Sequence, residues 1–338
     1  MRRPLPLRQA DGLWLLLVAS LTAVLALCPS WLDPYSLTVV RDALIFGLFA
    51  LSLDFLWGKG GILSFGHAAF FGIGAYGTAI VAPLMDGANA TLVGGLTAIG
   101  TAATVALLVG YFLIFGGVRG PYLTLVTLAL SLVAQHIVIG WSEVTGGDAG
   151  LIGTPPPGIE IGGFAHVFVD PVEQHYLVVA ISAATLLAIW TACRGHYGKI
   201  LNAIQDNELR ARSLGHNSSL QLLRVFVVSA ALAALAGSLY ASISGFVAPD
   251  LIGLVLSTEV IVWVAVGGRG TLIGPFIGAF VVIRLQQEVS SIDTKLWPIV
   301  IGAFFVAMVF LMPQGLLPML RRVGNALRPS HRRQEVRQ

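Results

Sequence analysis

Residues 194–224 read RGHYGKILNAIQDNELRARSLGHNSSLQLLR and form a long charged interruption in an otherwise apolar chain. Its charged residues are Arg194, Lys199, Arg210, Arg212, Arg224, Asp206 and Glu208. Apolar blocks long enough to cross a bilayer lie on both sides of it. A charged amphipathic segment held between two membrane spans is well placed to receive a push from a soluble partner, and we predict that role for it.

The composition around this segment is that of a membrane protein. The 338 residues are 56% hydrophobic and 11% charged, with a mean hydropathy of +0.83. Soluble domains carry about 25% charged residues, so lipid must replace water over most of this exterior. The net charge of +3 does not indicate a nucleic-acid partner, because the basic residues cluster in a few short segments, as membrane topology requires.

Ten apolar blocks are expected to cross the membrane as helices, since helices satisfy their own backbone polar groups. They are 12–30, 40–57, 62–84, 91–116, 121–141, 175–193, 224–246, 252–267, 271–288 and 296–313. We expect the first block to be a retained span rather than a cleaved signal peptide, because many spans follow it. The sequence therefore predicts an all-α integral membrane protein.

Basic residues set the expected orientation, because cytoplasmic connections are rich in Lys and Arg. Arg2, Arg3 and Arg8 place the N-terminus in the cytoplasm. The span count then places on the cytoplasmic side the connections that contain Lys59, Arg119, residues 194–224 and Arg269, together with the C-terminal tail from Arg321. The connections expected outside are 85–90, 142–174 and 247–251, which lack Lys and Arg. Arg41 and Lys295 are exceptions near outer span ends.

The predicted organisation is a transmembrane domain over 1–320 and a basic cytoplasmic tail over 321–338, with both termini cytoplasmic. The outside connection 142–174 contains Thr145, Gly146, Gly147 and Asp148 and a run of three prolines. This composition is typical of rigid turns. We therefore predict a docking surface there.

The glycine-rich residues 72–77 fit a G-x-G-x-x-G dinucleotide fingerprint, but they lie inside an apolar helix without the strand that such a site needs. In a membrane, closely spaced glycines allow helices to approach. Polar residues inside the spans suggest function by default. The residues predicted to pack helices or line a pathway are Ser64, Gly66, His67, Gly72, Gly74, Glu259, Gly274 and Gly278.

No P-loop, metal-binding or catalytic motif is visible, so we predict a chain that is not an enzyme, holds no cofactor and depends on an external energy source. Asp54 is expected to pair with Lys59 or to be hydrated, and Arg284 with Glu288 is expected to form a local i, i+4 pair.

Several segments resemble the branched-chain amino-acid permeases of ABC importers, and more closely the LivM type than the LivH type. They are LSLDFLWGKGGILSFGHAAFFGIGAYG (51–77), RGPYLTLVTLAL (119–130), TGGDAGL (145–151), GKILNAIQDNELRARSLGHN (198–217) and VGGRGTLIGPFIGAFV (266–281). The resemblance covers roughly residues 45–315. Permeases for urea and short amides carry the same segments.

The resemblance implies a type II fold, like that of vitamin B12-type importers, in a bacterial inner membrane. The implied partners are a second homologous permease, two ATP-binding cassette ATPases and a periplasmic substrate-binding protein, besides membrane lipid. It also implies that the connection 194–224 holds an ATPase-coupling helix. The implied coupling residues are Gly198, Ala203, Ile204, Asn207, Glu208, Arg210, Ala211 and Gly215. We expect Ala203, Ile204 and Ala211 to contact the ATPase groove, and Glu208 and Arg210 to set the polar register.

The expected function is transport of branched-chain or other hydrophobic amino acids, with urea or a short amide as the alternative solute. Two other classes are weaker. An ion-coupled transporter needs carboxylates near the membrane midplane, for which only Asp54 and Glu259 are available. An integral membrane enzyme needs a cluster of ionisable residues at one depth, which the sequence does not show.

Overall fold

The computed structural model describes residues 7–162, 164–292, 297–311 and 315–319. The helices are α1 (Leu7–Leu27), α2 (Pro34–Asp54), α3 (His67–Val81), α4 (Ala90–Phe115), α5 (Pro121–Gly140), α6 (Ser142–Thr145), α7 (Pro171–Arg194), α8 (His196–Asp206), α9 (Glu208–Ser213), α10 (Ser218–Ser244), α11 (Leu254–Gly267), α12 (Gly274–Ile292) and α13 (Trp297–Leu311). The strands are β1 (Leu151–Ile152), β2 (Gly158–Ile161), β3 (Phe164–Val167) and β4 (Phe246–Val247). Arg2, Arg3, Lys295 and the tail 321–338 lie outside the described residues.

Each of the ten predicted apolar blocks overlaps one of the long helices. Within the described residues, five helical stretches are long and apolar enough to cross a membrane: His67–Leu84, Ala90–Phe115, Pro121–Gly140, Pro171–Arg194 and Ser218–Ser244. The prediction of an all-α chain needs one correction. The connection 142–174 forms short strands, because its glycines and prolines favour turns and extended segments over a helix.

Helix starts carry the expected capping chemistry. Asp33 accepts a hydrogen bond from the Ser36 N–H before α2, and Asp170 accepts one from the Val172 N–H before α7. Both helices have proline at their first position, where no N–H partner is needed. These local signals fix where the two helices begin.

The core lies where α2, α3, α10, α11 and α12 meet. Aromatic rings fill it: Phe49 and Phe71 are 4.7 Å apart, and Phe46 and Trp263 are 5.3 Å apart, between centroids. In contrast, α4 and α5 are mostly exposed. Only 28% of the most apolar 18-residue stretch of α4 and 17% of that of α5 is buried. These two helices therefore present much of their apolar surface to lipid or to another protein.

Connections gather at two opposite ends of the bundle. The acidic end comprises residues 82–90, 141–170 and 245–253, where β1 pairs antiparallel with β4 and β2 with β3. The side chain of Asn89 also exchanges two hydrogen bonds with the backbone of Glu160. The basic end comprises residues 58–63, 116–120, 194–217 and 268–273. The structure thus groups the predicted outside connections at one end and the predicted inside connections at the other.

Candidate functional site

Two short helices, α8 and α9, form the surface of the basic end. The chain turns between them at Asn207, whose side-chain oxygen accepts a hydrogen bond from the Arg210 N–H at 2.9 Å. After α9 the chain turns again at Gly215, where φ is +87°. A positive φ of this size favours glycine. The structure therefore gives Asn207 and Gly215 the local task of folding the segment into a compact helical hairpin.

Glu208 ties α9 to the body of the protein. Its Oε1 accepts hydrogen bonds from Arg119 at 3.2 Å, Arg212 at 2.8 Å and the hydroxyl of Ser218 at 2.9 Å. Arg119 belongs to the α4–α5 connection and Ser218 begins α10. One carboxylate therefore joins α9 to the α4–α5 connection and to the start of α10.

Partial burial alone would raise the pKa of the Glu208 carboxyl. The hydrogen bond from Ser218 and the charges of Arg119 and Arg212 outweigh that effect and lower the pKa below its ordinary value. Glu208 is therefore held in its charged form at neutral pH. The structure thus gives Glu208 an internal bracing role that the sequence did not predict.

Two of the predicted contact residues point inward. Ile204 is 6% exposed and Ala211 is 1% exposed, and both belong to the main apolar core. Each lies on the face by which its helix packs against the bundle, so the expectation that they contact a soluble partner is wrong for this fold. Ala203 is exposed.

The exposed apolar side chains of this surface are instead Leu209 and Leu214, which are 75% and 72% exposed. Arg210 is also exposed between them. Neither leucine was among the predicted coupling residues, although the charged neighbours of Leu209 and the glycine that follows Leu214 are signals of exposed positions. An exposed leucine pair beside an arginine is an outward-facing amphipathic surface, which we call the α9 ridge.

Gly198 holds α8 close to the preceding helix. A Cβ at this position would collide with the carbonyl oxygen of Cys193 at the end of α7. Gln205, about two turns further along α8, donates a hydrogen bond to the carbonyl of Gly58 at 3.2 Å. The helix is thus attached to α7 and to the turn that follows α2.

A second carboxylate, that of Asp54, lies fully buried at the end of α2. It accepts hydrogen bonds from the backbone N–H groups of Gly270, at 2.5 Å, and Leu272, at 3.2 Å. In the same α11–α12 connection, the Arg269 guanidinium lies 5.1 Å from the centre of the Trp57 ring. Asp54 therefore binds the connection 268–273. The sequence predicted Lys59 or water as its partner and gave no sign of this contact.

The predicted packing glycines lie at close helix contacts. A Cβ would collide with the Thr127 carbonyl at Gly66, with the Ile252 side chain at Gly72 and with the Ala234 backbone at Gly74. Gly274 and Gly278 similarly approach the backbone of α11, at Gly267 and Trp263. Except at Gly72, these contacts bring backbone against backbone, so the missing Cβ atoms allow α3 and α12 to approach their neighbours closely.

His67 begins α3 and is fully buried. Its Nε2 lies 2.8 Å from the Ser52 hydroxyl, which itself donates to the Phe49 carbonyl, so Nε2–H is the donor between them. The ring stacks on Phe49. Ser64 is buried nearby and accepts a hydrogen bond from the Gly66 N–H. Glu259 lies half-buried on α11.

At the acidic end, the four predicted docking residues form a tight turn after α6. The hydroxyl of Thr145 is buried and donates to the carbonyls of Val138 and Trp141. Gly146 and Gly147 have φ values of +74° and +60°. Asp148 alone of the four presents an exposed side chain. Within the described residues, no group of three or more His, Cys, Asp or Glu side chains is arranged to hold a metal ion.

Comparison with known proteins identifies the family. Residues 35–309 match the family described as "Branched-chain amino acid transport system / permease component". The chain belongs to this family. The match confirms the resemblance drawn from the sequence segments between about residues 45 and 315, and a family of membrane permeases accounts for the apolar helices of this chain.

Named relatives of this permease share a modest identity with it. The high-affinity branched-chain amino acid transport system permease proteins LivM of Salmonella typhimurium (strain LT2) and Escherichia coli (strain K12) are each 28% identical over 325 residues, covering 89% of this chain and 75% of the relative. The autoinducer 2 import system permease protein LsrC of Enterobacter sp. (strain 638) is 32% identical over 127 residues, 36% of this chain and 37% of that protein. No solved structure matches the permease significantly.

The family is one of transport permeases, so this chain is a multi-pass protein of the inner membrane with a transport role rather than an enzymatic one. The basic end of this permease carries the exposed α9 ridge.

Proposed function

We propose that this chain is the permease subunit of an ATP-driven importer for branched-chain and other hydrophobic amino acids. It works with a second homologous permease, two ATP-binding cassette ATPases and a periplasmic substrate-binding protein. The observation that carries the proposal is the α9 ridge, in which Leu209 and Leu214 are exposed while Glu208 fixes the same helix to the bundle. The relatives that match most of the chain are named for branched-chain amino acid transport.

The first step of the mechanism is docking at the basic end. Leu209 and Leu214 bury their apolar side chains in a groove of the ATPase, and Arg210 and the exposed Ala203 contact its edge. Burying two leucines that are otherwise exposed to water is favourable by about 1.5–3 kcal/mol for each side chain. A soluble ATPase is a fitting occupant, because the ridge lies among the polar connections and not on the lipid-facing helices.

The second step carries ATPase movement into the membrane helices. Displacement of α9 pulls on Arg119 and Ser218 through Glu208, and so reaches the α4–α5 connection and α10. Displacement of α8 reaches Gly58 through Gln205. From there Asp54 connects α2 to the connection between α11 and α12. Two carboxylates therefore couple the docking surface to the spans on which the pathway depends.

The remaining features complete the proposal. The permease has ten spans in a type II arrangement, with the basic end and both termini in the cytoplasm. The turn at Thr145, Gly146, Gly147 and Asp148 faces the periplasm and docks the binding protein. The close helix contacts around Ser64, Gly66, His67, Gly72 and Gly74, together with those at Gly274 and Gly278 and the half-buried Glu259, border the moving pathway.

A double substitution at the α9 ridge tests the docking step. In Leu209→Glu with Leu214→Glu, two carboxylates replace the apolar contact, and we expect the ATPase to be lost from the complex purified through this permease. Ile152→Glu is the matched control, because Ile152 is 84% exposed at the opposite end and its variant should retain the ATPase. If the ridge variant copurified with as much ATPase as the wild-type permease does, docking would occur elsewhere.

The solute is tested separately in proteoliposomes containing the complete importer. We expect leucine, presented by the loaded binding protein, to be taken up in an ATP-dependent manner and urea not to be. Uptake of urea alone would replace the amino-acid assignment with the urea alternative. Uptake without ATPases, driven by an ion gradient, would contradict the importer class.

A further inference from the structure

The paired strands β1 and β4 carry an exposed apolar pair at the acidic end. Ile152 and Phe246 stand opposite each other in the antiparallel register, and they are 84% and 40% exposed. The neighbouring pair, Leu151 and Val247, packs inward, and Val247 is fully buried. Because successive side chains of a strand point to opposite faces, the pairing holds Ile152 and Phe246 side by side on the outward face.

The backbone beneath this pair is held in place. The Gly153 N–H donates to the Gly245 carbonyl at 2.9 Å, so the pairing continues for one residue beyond the strands. We call residues 148–153 and 245–250 the β1–β4 platform. A surface that is already formed loses little conformational freedom when a partner binds, which favours its use for docking.

The charge of the acidic end has one sign. The connections 82–90, 141–170 and 245–253 contain no Lys or Arg. Their six acidic side chains are all exposed: Asp86, Glu143, Asp148, Glu160, Asp170 and Asp250. Asp148 and Asp250 belong to the platform, on either side of its apolar pair. An apolar centre with acidic flanks is complementary to a partner face that carries Lys or Arg.

Two arginines in spans near this end have acidic partners of their own. Arg41 is buried in α2, where it lies 3.1 Å from the carboxylate of Asp42 and donates to the side-chain oxygen of Gln174 at 2.7 Å. Arg284 forms the predicted i, i+4 pair with Glu288, at 3.5 Å. Neither arginine therefore cancels the negative charge of the platform.

The platform is also joined to helices proposed to border the pathway. The Ser131 hydroxyl of α5 donates to the carbonyl of Ile252, two residues after the platform, at 2.5 Å. The Ile252 side chain lies against Gly72 of α3. A cavity of about 380 Å³ is lined by Ile252 and Thr145 at this end and runs along the same face of α3 to Phe70. A protein seated on the platform would thus release a solute beside the proposed pathway.

We propose that the β1–β4 platform docks the periplasmic substrate-binding protein, and that the docking face of that protein carries Lys or Arg side chains around an apolar centre. The inference rests on the proposed function and adds the chemistry of the partner to it. Ile152 and Phe246 bury their side chains against the apolar centre. Asp148 and Asp250 pair with the basic side chains around it.

A lipid surface fits the platform less well. Anionic lipid headgroups would be repelled by the exposed carboxylates of Asp148 and Asp250. Insertion of the apolar pair into a bilayer would carry both carboxylates toward the hydrocarbon, which is unfavourable. A soluble protein with a basic face satisfies the apolar pair and the two acids together.

The apolar contact is tested with the complete permease–ATPase complex in nanodiscs of phosphatidylcholine. Surface plasmon resonance measures the Kd for the importer's binding protein loaded with leucine. In Ile152→Ser we expect the Kd to rise about tenfold, because the aliphatic side chain is no longer buried on docking. Ile152→Val keeps that contact and should stay within about twofold of wild type. Leu108→Ala, at an exposed position on the side of α4, is the control.

The charges are tested by the association rate in the same assay. In Asp148→Asn with Asp250→Asn we expect the rate to fall about tenfold at low salt, and the difference from wild type to shrink as salt screens the charges. Asp148→Glu with Asp250→Glu keeps both charges and should associate as fast as wild type. Asp206→Asn, at an exposed position of the basic end, is the control.

The inference is overturned if Ile152→Ser or the double asparagine variant binds as the wild-type complex does. It is also overturned if Ile152→Ser weakens binding only when the nanodiscs contain phosphatidylglycerol, because the platform would then contact lipid. The two asparagines replace exposed side chains and leave the strand pairing intact, so that variant tests docking even if Ile152→Ser disturbs the strands. Failure of the proposed function is distinct, because the wild-type complex itself would then not bind the leucine-loaded protein.

Discussion

The two ends of the bundle are closed by different kinds of interaction. At the acidic end, backbone groups pair with backbone groups in β1–β4 and β2–β3, and glycines with positive φ make the turns between them. At the basic end, Asp54 and Glu208 bind N–H groups and cations from other connections. The acidic end is thus held by chain conformation, whereas the basic end is held by a few charged side chains.

This difference bears on how the permease works. Backbone pairing gives a stiff surface, which suits a platform on which another protein docks. Side-chain bridges link separate helices at single points, so a displacement of α8 or α9 is passed to chosen spans. We infer that the basic end is built to move as a linked set and the acidic end to keep its shape.

The largest effect is expected from Gly150→Ala at the acidic end. Gly150 has φ +75° and ψ −171°, a conformation almost restricted to glycine, and a Cβ there would collide with the Val247 carbonyl. We expect a loss of about 3 kcal/mol in the free energy of unfolding, with faster amide exchange in β1 and β4. Gly153→Ala is the control, because its φ is +95° but its surroundings are open, and about 1 kcal/mol is expected. If both variants lost the same free energy of unfolding, the close contact between Gly150 and the Val247 carbonyl would make no contribution of its own.

A smaller effect is expected from Asp54→Ala at the basic end. This change leaves the N–H groups of Gly270 and Leu272 without their acceptor, which costs about 2 kcal/mol. Unfolding of the purified protein measures the loss, and amide exchange should increase in 268–273 but not in β1. Asp54→Asn keeps one acceptor oxygen and should lose about half as much. An unchanged stability in Asp54→Ala would show that the bridge contributes nothing.

The smallest effect is expected from Glu208→Gln, because the carboxylate is partly exposed and salt bridges of that kind contribute about 1 kcal/mol or less. The folded-state pKa of Glu208 is lowered, so its contribution is complete above the ordinary carboxyl pKa of about 4.3 and is lost as pH falls through the folded-state value. The difference in unfolding temperature between wild type and variant should therefore disappear in acid. Glu143→Gln on the exposed α6 is the control. If the difference in unfolding temperature between wild type and Glu208→Gln persisted in acid, the charge of Glu208 would not be its cause.

Much of the fold followed from local signals. Continuous apolar blocks predict helices because the bilayer leaves no other partner for backbone groups, and a helix occupies each predicted block. The distribution of Lys and Arg separated the connections into two sets that the structure gathers at opposite ends. The strands of 142–174 were missed because segments of two to four residues lack a recognisable period.

The site was predictable in position but not in orientation. The sequence placed 198–217 in a polar connection between two apolar blocks, and the structure adds the turns at Asn207 and Gly215. The sequence did not reveal that Ile204 and Ala211 pack inward while Leu209 and Leu214 face outward. On helices as short as α8 and α9 too few turns exist for periodicity to define a face, so the neighbouring helices decide which side is buried.

The sequence by itself determined a membrane protein with a charged connection between its sixth and seventh apolar blocks, because composition and hydropathy act along the chain. It also determined the family, since the matching segments are continuous in sequence. Only the tertiary structure decided that Glu208 braces α9 from within, that Asp54 binds a connection more than two hundred residues away, and that Ile152 stands beside Phe246. Each of these contacts joins residues that are far apart in the sequence, and no local sequence pattern indicates which distant elements pack together.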